Sequence, residues 1–394
     1  MSSTGVDYTK KELPNKLSST GLILLAIGLV SMIAAYYTNT QRAAFNNVWI
    51  LTFITSVGVG SLFWVAVEYL AGAVWSTPFR RVMEILAYLI ILAAVIAIPA
   101  YLSSHSIFHW AHHSAVESDP ILKAKSPYLN NSFFGIRQII FFGVWIIFFF
   151  IFTKNSFSQD ANGDQDFTRR NVRLSAAFMP LFAFTITFFS IDWLMSLEPH
   201  WFSTIFGVYY FSGTALVAMA VITFASVKLY ENGYLVKKLN KDNFYSFGAL
   251  LFAFVNFWAY IAFSQFLLIW YANLPEETVW YLQRWEGSWL IFTVGLIFVH
   301  FVVPYFGLLS QPSKMNKSRL KFMALWIVFA HMYDLYWMIF PTFDGSGVVF
   351  GWIEIGAIIF MVGAIVTLFS FIGKGKNLVP INDPKLKRGI DFRL

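Results

Sequence analysis

His331 and Asp334 lie three residues apart in an apolar stretch of this 394-residue chain, so a helix would set an imidazole and a carboxyl on one face. Imidazole titrates near neutrality and is suited to passing protons, which makes the pair the parts of a proton relay. Other ionisable side chains occupy similarly apolar surroundings: Asp192, His300, Glu354, Glu68 and Glu84. A charge at bilayer depth costs about 2.5–3.5 kcal/mol even on a lenient insertion scale, so such groups face a bundle interior or a water-filled path. Helix direction places Asp192, Asp334 and Glu354 in the outer half and His300 and His331 near the middle. Glu68 and Glu84 fall toward the inner side, beside Arg80 and Arg81. These seven residues are the candidates for a proton path, sparse only between the middle and the inner side. The competing reading for each acid is an ion pair that fixes packing.

Three other patterns carry possible chemistry. His300 and His331 each lie 12 residues into their helices from opposite ends, about 18 Å deep, which is the geometry of a bis-histidine haem. The nearby small residues form no recognisable haem pocket. His105, His109, His112 and His113 have helical spacings suited to zinc or copper, but interleaved Phe108 and Trp110 favour an interfacial helix packed on a partner. The short turn with Glu198 and His200 between Trp193 and Trp201 reads as an outer access point for protons or a quinone headgroup, or simply as an interfacial turn. No cysteine is present, which removes disulfides, thiolate-held clusters and covalent haem attachment.

The elements that must position these groups follow from composition. The chain is 58% hydrophobic and 12% charged, with a mean hydropathy of +0.62, whereas soluble domains carry roughly 25% charged residues. Long unbroken apolar runs exclude a transmembrane barrel, whose strands alternate. The predicted class is therefore an all-α polytopic membrane protein, a single integral domain over residues 1–394. Ten spans are expected, roughly 17–37, 47–70, 81–103, 133–153, 173–197, 203–230, 243–271, 288–310, 319–340 and 349–372, with the first read as an uncleaved helix rather than a signal peptide. Tails at 1–16 and 373–394 are expected on the cytoplasmic side. The loop 154–172 reads as solvated and flexible, and the outer loop 104–132 as packed on something.

The net charge of +7 is scattered through loops with no basic tract, so nucleic acid is not the partner. In this topology only Arg42, Lys123, Lys125, Arg137 and Arg284 fall outside, leaving 23 of the 28 positive charges inside. That asymmetry sets both termini in the cytoplasm. A weak internal echo runs through the same topology: Asp192 precedes Pro199 by seven residues, and Asp334 precedes Pro341 by seven. It reads either as a parallel duplication of two four-helix units, 47–197 and 203–341, or as chance convergence at helix ends.

Several stretches resemble a known family: Phe63–Leu70 (FWVAVEYL), Trp75–Arg81 (WSTPFRR), Asp119–Leu122 with Lys125–Asn130 and Arg137, and Asp192–Tyr209 (DWLMSLEPHWFSTIFGVY). From the second helix to the tenth the chain resembles the ActF-type, second quinone-binding-type membrane subunit of bacterial alternative complex III, similar to NrfD-like polysulfide reductase membrane subunits. The resemblance implies two four-helix bundles with two flanking helices in a bacterial inner membrane. It also implies a quinol:cytochrome c or electron-acceptor oxidoreductase that uses menaquinol or ubiquinol. Its expected partners are a sister NrfD-like subunit, multihaem cytochrome c and iron–sulfur subunits that carry haem c and the clusters, and a terminal oxidase. This chain itself is expected to hold no redox cofactor and no metal, and to contribute proton conduction. The alternatives are a secondary transporter and a b-type cytochrome anchor using His300 and His331.

Overall fold

The computed structural model describes residues 12–394, and among them ten helices are long and apolar enough to cross a membrane. They are α1 (Asn15–Thr38), α2 (Thr40–Leu70), α3 (Thr77–Leu102), α4 (Asn131–Asn162), α5 (Asp166–Leu197), α6 (Phe206–Glu231), α7 (Lys241–Ala272), α8 (Trp289–Leu308), α9 (Lys317–Phe343) and α10 (Trp352–Gly373). The expected all-α polytopic class holds, with ten spans where ten were predicted. Residues 1–11 of the predicted N-terminal tail lie outside the described residues.

Asparagine starts four of these helices. Asn39, Asn130, Asn240 and Asn316 each accept a backbone N–H from the first turn of α2, α4, α7 and α9, satisfying a donor the helix cannot satisfy itself. Asn39 is also the single residue between α1 and α2, so α2 begins seven residues earlier than the hydropathy pattern suggested.

The helices close into two rings. In the first, α2 packs on α3, α3 on α4, α4 on α5, and α5 returns to α2; in the second, α6 to α9 repeat that order. The rings meet where α2 and α5 lie against α6 and where α2 lies against α9. Helix α2 is thus the axis of the molecule, and nearly every one of its residues is buried. Helices α1 and α10 run antiparallel as a flanking pair, so close at Gly28 that a Cβ there would sit 2.5 Å from the Phe360 backbone.

Two loops differ from expectation. The loop 154–172 is almost wholly helical, because α4 runs on to Asn162, Gly163 ends it in the left-handed conformation (φ 71°), and α5 starts at Asp166. The loop 104–132 does not carry its histidines on one interfacial helix. It breaks into short turns, with Phe108 and Trp110 buried against Phe134, so it packs on the chain's own first ring. The helical spacing of the histidines therefore does not apply. Instead His105 faces His112 at 5.3 Å between ring centroids, and His109 lies 6.5 Å from His200.

Candidate functional site

Helix α9 presents His331 and Asp334 to the junction of the two rings, and both are 1% exposed. Asp334 Oδ1 accepts the Tyr209 hydroxyl at 2.5 Å, and Oδ2 accepts the Trp258 indole N–H at 3.1 Å. His331 Nε2 lies 3.1 Å from Ser56 Oγ on the axial helix α2. Ser56 in turn meets the Tyr210 hydroxyl at 3.1 Å and Thr214 Oγ1 at 3.2 Å. Gly213 makes room for the imidazole, since a Cβ at that position would stand 2.8 Å from His331 Nδ1.

His300 joins the same cluster from α8, and its position has a local cause. Pro304 has no N–H to give the His300 carbonyl four residues back, and residues Ile297–Val302 widen into a π-helical turn. The imidazole of His300 stacks on Trp258 at 3.7 Å between centroids. One ligating atom each from His300, His331 and Asp334 fall within 4.8 Å of one another. Both nitrogens of His300, and Nδ1 of His331, have no protein hydrogen-bond partner.

That figure constrains what the cluster can bind. A point equidistant from three atoms at the widest such spacing lies about 2.8 Å from each, which is the hydrogen-bond length to one shared water. Two imidazoles and a carboxylate also make a donor set for zinc, whose bonds of about 2.0–2.1 Å need the three atoms closer together than that upper limit. A haem plane between the two imidazoles has no slot, because Asp334 occupies the same corner and Trp258 covers His300.

Comparison with protein-family models and with curated proteins finds no match for this chain.

The other predicted path residues lie apart from this cluster, each held by an arginine. Asp192 receives Arg137 at 2.8 and 2.9 Å, with Gln138 and the Tyr128 hydroxyl both at 2.9 Å. Glu354 pairs with Arg42 and accepts Asn46 at 2.8 Å. Glu68 meets Arg80 at 3.2 Å, and Glu84 meets Arg81 at 2.5 Å. Asp383 from the C-terminal tail and Asp160 from α4 complete this second network, at 2.6 and 2.5 Å from Arg80 and Arg81. The tail thereby lies over that end of the rings, the face where the basic residues collect.

Connections from the centre are unequal. Toward the basic face, Ser56 and Glu68 are 12 residues apart on α2, about 18 Å, and the one hydroxyl between them on that helix, Ser61, donates to the Val57 carbonyl. Toward the far face, the next polar cluster gathers around Tyr281, with no hydrogen bond to Tyr209 among the described residues. Gln265 donates to the Tyr281 hydroxyl at 3.2 Å and accepts Ser203 Oγ at 2.9 Å, beside exposed Phe202.

Among the described residues, Arg284 closes this side through backbone carbonyls rather than through an ion pair or hydrogen bond to a carboxylate. Pro341 interrupts α9 and leaves the Trp337 carbonyl without its usual donor, and Arg284 donates to it at 3.2 Å and to the Met338 carbonyl at 2.8 Å. Burial pushes this guanidinium down to about 9, still charged at neutral pH. The turn at Glu198 contacts the corresponding turn of the second ring, accepting Thr342 Oγ1 at 2.9 Å. Sequence reading missed Ser56, Tyr209, Tyr210, Gly213 and Trp258. The available signal was the run of Asn46, Thr52, Ser56 and Ser61 along an otherwise apolar helix.

Proposed function

We propose that this chain is an integral membrane subunit of a respiratory quinol:electron-acceptor oxidoreductase of the alternative complex III type, and that it conducts protons. One observation carries the proton reading: His300, His331 and Asp334 converge within 4.8 Å in the interior with three unpartnered imidazole nitrogens. Orphaned buried nitrogens are costly unless a proton carrier or water meets them, and a relay station needs such open valences. Asp334 takes or gives a proton through the Tyr209 hydroxyl, and His331 through Ser56 and Tyr210. The polar groups Tyr281, Gln265 and Ser203, reached from Tyr209 through water, serve the outer side, where quinol oxidation releases its protons.

In this reading the chain sits in a bacterial inner membrane with both termini cytoplasmic. Menaquinol or ubiquinol is the substrate of the assembly. A sister NrfD-like subunit, multihaem cytochrome c and iron–sulfur subunits carry the electrons toward a terminal oxidase. Support for the assembly is the sequence resemblance over helices two to ten. The test replaces Asp334 or His331 by leucine in the assembled complex in proteoliposomes and follows quinol oxidation and proton release. Both variants are expected to lose proton release; wild-type rates of oxidation and release in both would refute the relay.

A further inference from the structure

A groove of about 510 Å³ opens between α1, α6, α9 and α10 in the half of the molecule nearest the basic face. Its body is apolar, formed by Leu17, Val221, Phe224, Val328, Met332 and Phe369. It runs from Lys228 to Val221 on α6 and from Leu325 to Met332 on α9, seven residues or about 10 Å along each helix. Polar groups gather only at the basic-face end, where Lys228 and Asn232 line the mouth.

The charge at that mouth is unbalanced. Lys228 is exposed and makes no ion pair among the described residues. The acid nearest to it in sequence, Glu231, is already taken by Lys321 at 2.6 and 2.8 Å. Lys16 and Glu12, next in sequence to the lining residues Leu17 and Leu13, carry opposite charges, and among the described residues no acid pairs with Lys228. A narrow apolar slot facing lipid, with one free ammonium at its interfacial end, matches an amphiphile with a hydrocarbon tail and an anionic head.

We propose that this groove binds one anionic phospholipid of the basic-face leaflet, its acyl chain along Val221 and Met332 and its phosphate at Lys228. A neutral quinone headgroup would leave Lys228 uncompensated, and a zwitterionic lipid would cancel most of the attraction. The bound chain would also complete the apolar wall behind the central cluster, since Met332 follows His331 directly. The proposal does not depend on the relay, and either can fail alone.

The experiment places the full chain in nanodiscs of equal phosphatidylcholine and phosphatidylglycerol, then releases it into detergent and weighs it by native mass spectrometry. One phosphatidylglycerol is expected to remain on the wild-type chain and on Lys228→Arg. Lys228→Glu is expected to weaken retention at least about fivefold, the factor for one elementary charge at an anionic surface. Val221→Trp, which fills the slot, is expected to abolish it. Unfolding temperature checks each variant, and Lys228→Glu, at an exposed position, leaves the packing intact. Equal retention by Lys228→Glu and wild type, or retention of phosphatidylcholine instead, would overturn the proposal.

Discussion

Asp192 and Asp334 stand at matching places in the two rings, each seven residues before a proline and each accepting a tyrosine hydroxyl, yet only the first is met by a cation. Asp192 is clamped by both arms of Arg137, and Trp193 donates to the Gln138 carbonyl oxygen that shares this site. Among the described residues Asp334 meets no cation, only Tyr209, Trp258 and two histidines. The basic residue preceding α8, Arg284, turns instead to the carbonyls freed near Pro341. A bidentate arginine fixes a carboxylate in its ionised form, whereas a carboxyl among neutral donors and imidazoles is free to exchange a proton. One aspartate is thus tied to an arginine and the other is not, although sequence spacing presents them as equivalents.

The sharpest break of this comparison is a crossed pair of isosteric variants. Asp334→Asn is expected to lower proton release about 100-fold, the scale of a lost acid–base group, with little change in unfolding temperature. Asp192→Asn is expected to do the reverse, keeping the rate near wild type while destabilising the chain by about 3–5 kcal/mol, because Arg137 is left buried without a counterion. Proton release and thermal unfolding on the same preparations decide it. If Asp192→Asn loses the rate and Asp334→Asn keeps it, the roles are assigned the wrong way round.

Arg137 sharpens the structural half of the contrast. Arg137→Met alone should destabilise by about 3–5 kcal/mol, and adding Asp192→Leu should recover much of that loss, because the two charges disappear together. A double variant as unstable as the sum of the singles would mean that Arg137 acts through its contacts with Tyr128 and Phe133 rather than through Asp192.

Which of these distinctions the sequence carries depends on whether a partner is local. The ten spans were legible because hydropathy is a property of each segment alone, and His331 with Asp334 because both sit on one helix. Glu84 and Arg81 were legible as neighbours for the same reason. Arg42 with Glu354 is separated by 312 positions, and Arg137 with Asp192 by 55, so no spacing rule couples them. His300 and His331 were legible at matching depth, but the π-helical turn that carries His300, before Pro304, is a backbone event that periodicity does not encode. Helix ends were misplaced where asparagine caps, rather than apolar content, decide the boundary.

Gly213 offers a smaller perturbation of the second ring alone. Alanine there would place a Cβ 2.7 Å from His331 Cε1 but 3.9 Å from Asp334 Oδ2, so the imidazole must shift while the carboxyl stays. The expected result is about a tenfold slower proton release from misplacement of the ring, with an overpacking penalty of about 1–3 kcal/mol. The effect should vanish in a His331→Leu background; persistence there would show that Gly213 matters for helix packing and not for the imidazole.

A third carboxylate, at the surface of the first ring, gives the mildest test of how a partner fixes charge. Asp119 Oδ2 lies 2.5 Å from His200 Nε2, and Oδ1 caps the short helix Pro120–Lys125 through the Ile121 and Leu122 amides at 2.8 and 3.3 Å. The hydrogen bond to His200, aided by those amides, holds its carboxyl below the ordinary 3.8. A depressed acid stabilises the folded arrangement fully above its unfolded value and loses that contribution as pH falls through the lowered one. Amide protection at residues 120–125 and 199–201, corrected for the intrinsic pH dependence of exchange, should therefore hold from neutrality down to about pH 4 and fall only below it. Asp119→Asn should remove that acid-dependent step and raise exchange modestly at every pH. An unchanged acid limb in Asp119→Asn would show that another group governs the turn, and that a hydrogen-bonded surface aspartate does not follow the rule that separates Asp192 from Asp334.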